Sequence, residues 1–144
     1  MKTVNEMKLS FPSKSCNEAF ARAAVSAFIA MLDPTVSELS DLKTAVSEAV
    51  TNCVVHGYRR DSGTIHISGK ITEDRRVILK IRDTGVGIAD VKQAMEPLFT
   101  TAPEEERAGL GFAVMQSFCD KVRVRSATGK GTTVTLEKRI SDAR

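Results

Sequence analysis

Hydrophobic and polar positions alternate at the start of the chain, with Met7, Leu9 and Phe11 on one side and Lys8 and Ser10 on the other. A period of two belongs to a half-buried strand, which Pro12 ends. Ser15-Cys16-Asn17-Glu18 then has the S-x-x-E spacing of a capping box. It predicts an Ala-rich helix to about Leu32, broken by Asp33-Pro34. A second helix is predicted from Ser37 or Ser40 to about Val55. Leu42, Ala45, Val46, Ala49, Val50 and Cys53 recur there at helical spacing, and Gly57 ends it. Ile65, Ile67 and Ile71, then Val77, Leu79 and Ile81, alternate on either side of Glu73-Asp74-Arg75, the pattern of an antiparallel hairpin. Residues 90–108 are less regular, with Pro97, Pro103 and the run Glu104-Glu105-Glu106. Gly109-Leu110-Gly111 opens a predicted helix to about Asp120. Two last strands, near Val122–Ser126 and Thr132–Lys138, flank Gly129-Lys130-Gly131. There is no internal repeat, low-complexity tract or linker. The order implies one α+β domain over residues 1–144: a two-layer sandwich whose mixed, mostly antiparallel sheet is covered on one face by helices.

Composition narrows the class without naming a function. In 144 residues, 42% hydrophobic content suffices for one core, and 27% charged content is that of an ordinary globular chain. The net charge of +3, from 21 basic and 18 acidic residues, is too mild and scattered to argue for nucleic acid as the main partner. No run approaches the roughly 18 apolar residues of a membrane span, so no membrane association is expected. The N-terminus has no apolar stretch of the secretory kind. Cys16, Cys53 and Cys119 stand far apart, form no C-x-x-C pair and have no zinc spacing with His56 or His66. They read as reduced packing residues, and the expected location is cytoplasmic.

Three features carry candidate chemistry. Glu48 and Asn52 are four residues apart on the second helix, with His56 four further on, so the three stack on one stripe bordering the apolar face. A carboxylate can take a proton there, and carboxylate and amide oxygens suit Mg²⁺. A solvated helix flank is the alternative. Asp83-x-Gly85-x-Gly87 follows a strand: the glycines allow close backbone approach, and the carboxylate can accept a hydrogen bond from an exocyclic amine. A plain glycine turn with a capping Asp is the alternative. Gly109-Leu110-Gly111 stands at a helix start, where free N–H groups favour phosphate, although close packing explains a lone G-x-G equally well. Gly129-Lys130-Gly131 lacks the features of a P-loop and reads as a hairpin turn.

In this order and spacing the three features resemble the boxes of the GHKL ATP-binding superfamily, which holds gyrase, heat-shock chaperones, histidine kinases and MutL. Glu48-x-x-x-Asn52 resembles its N box, Asp83-x-Gly85-x-Gly87 and Gly109-x-Gly111 its glycine boxes, and Thr132-Thr133 its final box. Ser47-Glu48-Ala49-Val50-Thr51-Asn52, His56-Gly57-Tyr58 and Pro97-Leu98-Phe99-Thr100-Thr101 are similar to the anti-sigma serine kinases, above all their sporulation members. A histidine kinase would need an upstream helix pair, for which 47 residues before Glu48 leave no room.

The resemblance implies a protein serine kinase using ATP and Mg²⁺. Glu48 would be the general base and Asn52 the Mg²⁺ ligand. Asp83 would bind the adenine amine, and Gly85 and Gly87 would shape the base pocket. Thr100, Thr101, Arg107, Gly109, Leu110, Gly111 and Thr133 would surround the phosphates, with residues 90–108 as a lid. It also implies a sigma factor held inactive, an anti-anti-sigma factor phosphorylated on serine, and a homodimer. Arg22 is a candidate partner contact, against a solvated helix position. Two other readings stay open: a nucleotide-switched binding module without phosphoryl transfer, and a related switch kinase acting on a scaffold protein.

Overall fold

The computed structural model describes residues 2–59, 61–95 and 111–142. Its framework is a five-stranded sheet in the order β1-β2-β3-β5-β4, built from β1 (Thr3–Pro12), β2 (Thr64–Thr72), β3 (Arg76–Asp83), β4 (Lys121–Ser126) and β5 (Thr132–Arg139). All four pairings among the described residues are antiparallel, so the sheet has no parallel component there. The helices are α1 (Asn17–Ile29), α2 (Val36–Asn52), the short α3 (Val91–Ala94) and α4 (Gly111–Phe118). No helix among the described residues is long and apolar enough to cross a membrane.

The alternation read from the sequence decides which face the helices cover. On β2 and β3, Ile65, Ile67, Ile71, Val77, Leu79 and Ile81 are all buried, while Lys80 and Arg82 are exposed. Successive strand residues point to opposite faces, so one face is apolar and the other polar. Ala21, Val25 and Ile29 of α1, Leu42, Val46 and Val50 of α2, and Phe112 and Met115 of α4 join the same core. The β2–β3 turn closes at Arg75, which takes a left-handed φ of 69° while its N–H donates to the Thr72 carbonyl at 3.0 Å.

Helix boundaries depart from expectation in physically informative ways. The capping box expected at Ser15–Glu18 does not form. Cys16 is the N-cap, with helical angles (φ −64°, ψ −21°) and no side-chain cap bond. Glu18 instead accepts from Arg22 and Thr51. The box that forms is at the next helix, whose N-cap Thr35 is extended (φ −67°, ψ 161°), as capping geometry requires. Its hydroxyl accepts from the Glu38 N–H at 3.0 Å, and the Glu38 carboxylate accepts from the Thr35 N–H at 2.9 Å. The second helix therefore begins at Val36, ahead of Ser37 and Ser40. α1 ends at Ile29, followed by a 3₁₀ turn, Ala30–Leu32, that closes on Asp33 in the left-handed region (φ 47°).

Candidate functional site

The site grows from the last turns of α2. Glu48 is 4% exposed, and Asn52, one turn on, is half-buried where the α-helix ends. The chain continues as a π-helical turn, Cys53–Gly57, in which the Tyr58 N–H donates to the Cys53 carbonyl five residues back at 2.8 Å. Such turns are rare and are frequent at functional sites. The turn brings Gly57 against the end of β3, beside Cys53, which the helical spacing of α2 already turns inward, to 3% exposure.

There stands Asp83, the last residue of β3, on the covered face and 3% exposed. Its Oδ1 accepts from the Gly85 N–H at 2.9 Å, and the Cys53 thiol and the Thr132 N–H also donate to it. Burial pushes its carboxyl above the ordinary range, against these three hydrogen bonds, which lower it. Burial likewise pushes the Cys53 thiol well up, with the Asp83 charge and hydrogen bond adding to the effect. The Asp83-x-Gly85-x-Gly87 turn is stitched to the π turn, since the Val86 N–H donates to the Gly57 carbonyl at 2.8 Å. A Cβ on Gly85 would overlap that same carbonyl, so only glycine allows the two segments this approach. Gly87 adds a φ of 77°. Tyr58 bolts the arrangement: its hydroxyl donates to the Thr64 carbonyl at 2.6 Å and accepts from the Thr84 N–H at 2.8 Å.

The third wall is the start of α4. A Cβ built on Gly111 would lie 3.1 Å from Asn52 Oδ1, which sets the helix start directly against that amide. Glu48, Asn52, Asp83, Gly85, Gly87 and Gly111 thus come from α2, the end of β3 and the start of α4 to one region. Thr100, Thr101, Arg107, Gly109, Leu110 and most of the expected lid lie outside the described residues.

One expected member is misplaced. Thr133 pairs with Arg82 and shares its face, the uncovered one, whereas Thr132 pairs with Asp83. Thr132 is the buried hydroxyl of that pair of threonines, and its Oγ1 is 2.8 Å from Ser126 Oγ. The signal was available, because Thr132 is in phase with the apolar Val134 and Leu136. Cys53 was read only as a packing residue and Tyr58 only as part of a family-like motif; the π turn sets Tyr58 at this site. Arg22 is neither simply solvated nor open: it donates to Glu18 at 2.7 Å and to Ser47 at 3.2 Å, tying α1 to α2 beside Glu48.

Among the described residues no three of His, Cys, Asp and Glu converge as a metal cage. Mg²⁺ commonly takes one or two protein ligands and completes its shell from phosphates and water, and an isolated amide oxygen at Asn52 fits that pattern. A buried carboxylate with glycine backbone packed around it fits an amine-bearing base.

A family profile described as a histidine kinase-like ATPase domain matches residues 11–138. The chain is 52% identical to the anti-sigma F factor of Geobacillus thermodenitrificans over 97% of its own length and 96% of the relative's. It is 54% identical to that of Thermoanaerobacter sp. over 97% of both chains. The solved RsbU and RsbW domains of a Mycobacterium tuberculosis protein superpose with a TM-score of 0.71 at 23% identity, covering 96% of this chain and 33% of that one, which bears on the fold. The chain belongs to the histidine kinase-like ATPase family, in its anti-sigma F factor group.

Proposed function

We propose that this chain is an ATP-dependent protein serine kinase that also binds a sporulation sigma factor and holds it inactive, its substrate being a serine of an anti-anti-sigma factor. The observation that carries the catalytic part is the buried Glu48 carboxylate one helical turn before Asn52, whose amide meets the start of α4. A module that only binds nucleotide has no need of a carboxylate there. The near full-length similarity to anti-sigma F factors supports the sigma factor as partner. Homodimerisation goes with that reading.

In this mechanism Asp83 would accept a hydrogen bond from the exocyclic amine of adenine, in a pocket shaped by Gly85 and Gly87. Asn52 would hold Mg²⁺ through its amide oxygen. Gly111, at the start of α4, would border the phosphates, and the resemblance assigns the same role to Gly109, Leu110, Thr100, Thr101 and Arg107. Bound there, the nucleotide would supply the phosphoryl group and Mg²⁺ the counter-charge for it. Glu48 accepts the proton of the attacking serine hydroxyl.

Glu48→Gln keeps the shape and removes the base. It should bind ATP with unchanged affinity yet transfer phosphate at least about a hundredfold more slowly, within the range of general-base contributions. Labelled ATP with the anti-anti-sigma protein measures this, and transfer at the wild-type rate overturns the role given to Glu48. Asn52→Ala should lose the Mg²⁺ dependence of nucleotide affinity in calorimetry while its melting temperature changes little. An unchanged Mg²⁺ response overturns the ligand assignment.

A further inference from the structure

The uncovered face of the sheet carries a charge pattern that the nucleotide site does not use. Reading across the strands, one row runs Lys8, Ser68, Lys80, Thr135, Arg123. The next runs Ser10, His66, Arg82, Thr133, Arg125. Lys8, Lys80, Arg82, Arg123 and Arg125 are all exposed, and neither row contains a carboxylate. None of the five has an ion-pair partner among the described residues, although Arg76, Lys138 and Arg139 elsewhere do. The row beyond Lys80 is balanced, with Glu6 and Glu137 beside Lys70 and Lys121, so the cationic zone has an edge. A net charge of only +3 over the chain makes this segregation the notable feature.

Its geometry is that of a trough. β5 lies between β3 and β4, so the Thr133 and Thr135 hydroxyls form a floor. Lys80 and Arg82 line one side, and Arg123 and Arg125 the other. The two sides are about 9.5 Å apart, twice the inter-strand spacing, and the cations on each side are separated by about 6.7 Å, two strand residues. Alternate side chains of an extended peptide repeat at that same 6.7 Å spacing. On the other flank of β3 a groove of about 450 Å³ continues the basic surface toward Lys8.

We infer that this face docks an acidic protein segment, extended along β5, with Asp or Glu at alternate positions. Two other occupants fit less well. Single-stranded nucleic acid is held largely by stacking on large aromatic side chains, and neither row has a Phe, Tyr or Trp. A second copy paired face to face across a two-fold axis would set these cations against themselves. The site lies on the side of the sheet opposite Asp83 and is independent of phosphoryl transfer, so it can fail or stand apart from the kinase reading.

The test uses isotopically labelled full-length protein, an eight-residue peptide alternating Glu with Thr, and a thymidine dodecamer, titrated at low and high salt. Peptide-induced amide shifts should centre on β3, β4 and β5 and vanish as salt rises. Lys80→Glu/Arg125→Glu should weaken peptide binding at least tenfold while leaving the rest of the spectrum and ATP affinity unchanged. No shifts on this face, or equal binding by the variant, overturns the proposal. So does tighter binding of the dodecamer to the same residues, or a change in oligomeric state on charge reversal in sedimentation.

Discussion

The two faces of β3 differ completely although they are made by neighbouring residues. Val77, Leu79, Ile81 and Asp83 point into the helical layer, and Lys80 and Arg82 point away from it. On the covered face the apolar run ends in a carboxylate, and that carboxylate is the centre of the candidate nucleotide site. On the open face the same strand supplies two cations of the basic trough. A one-residue slip in register would exchange the two sets, exposing Val77, Leu79 and Ile81 and burying Lys80 and Arg82. Packing on one side therefore fixes the recognition chemistry on both. Asp83 is held buried because it is in phase with Leu79 and Ile81, and its raised carboxyl pKa is the electrostatic consequence.

Paired substitutions test how far the faces are independent. The largest effect should come from the covered one. Leu79 is fully buried, so Leu79→Ala should cost about 2–5 kcal/mol in denaturant unfolding. Lys80→Ala, its exposed neighbour, should stay within about 0.5 kcal/mol. Similar losses at both positions would mean that the open face is covered as well. Next in size is Asp83→Asn. It exchanges a charged acceptor for a neutral one and should weaken ATP binding by about ten- to a hundredfold, the worth of a hydrogen bond to a charged group. Because the neutral form suits that buried position, the melting temperature should hold or rise, and a clear fall would contradict the burial argument.

A smaller contrast separates the adjacent threonines. Thr132→Val removes a buried hydroxyl bonded to Ser126 and should cost about 1 kcal/mol, whereas Thr133→Val should leave both stability and ATP affinity unchanged. Lost ATP binding in the Thr133 variant would return that residue to the nucleotide site. The smallest effect is in pH dependence. With its carboxyl pKa raised, native Asp83 holds a proton that the unfolded chain releases. Its favourable contribution is complete below about pH 4 and is lost as the pH rises through the raised value. Unfolding free energies of wild type and Asp83→Asn, compared across that range, should therefore diverge in favour of the variant as the pH rises.

Much of this was legible because it is local. Period two gave β1, the β2–β3 hairpin and the burial of its isoleucines, and helical spacing gave α2 with Glu48 and Asn52 on one stripe. The box at Thr35-x-x-Glu38 went unread, while the one read at Ser15-x-x-Glu18 does not form. Both have the S/T-x-x-E spacing, but the first helix takes Cys16 as its N-cap, in the helical region, whereas the second takes Thr35, which is extended. Asp83-x-Gly85-x-Gly87 was readable as a close-approach turn, but the carbonyl it approaches, that of Gly57, was not.

The amino-acid sequence by itself determined the elements, the apolar face of each and the residue types at the site, since periodicity and glycine placement act within a few residues. The tertiary structure alone decided that β5 inserts between β3 and β4. That insertion pairs Asp83 with Thr132 and aligns Lys80 and Arg82 with Arg123 and Arg125 across it. It alone also showed the π turn, which delivers Gly57 to Asp83. Strand pairing joins residues about fifty positions apart, and no local pattern encodes which strands will meet. That choice belongs to the packing of the whole apolar face against the helices, which is a property of the assembled core.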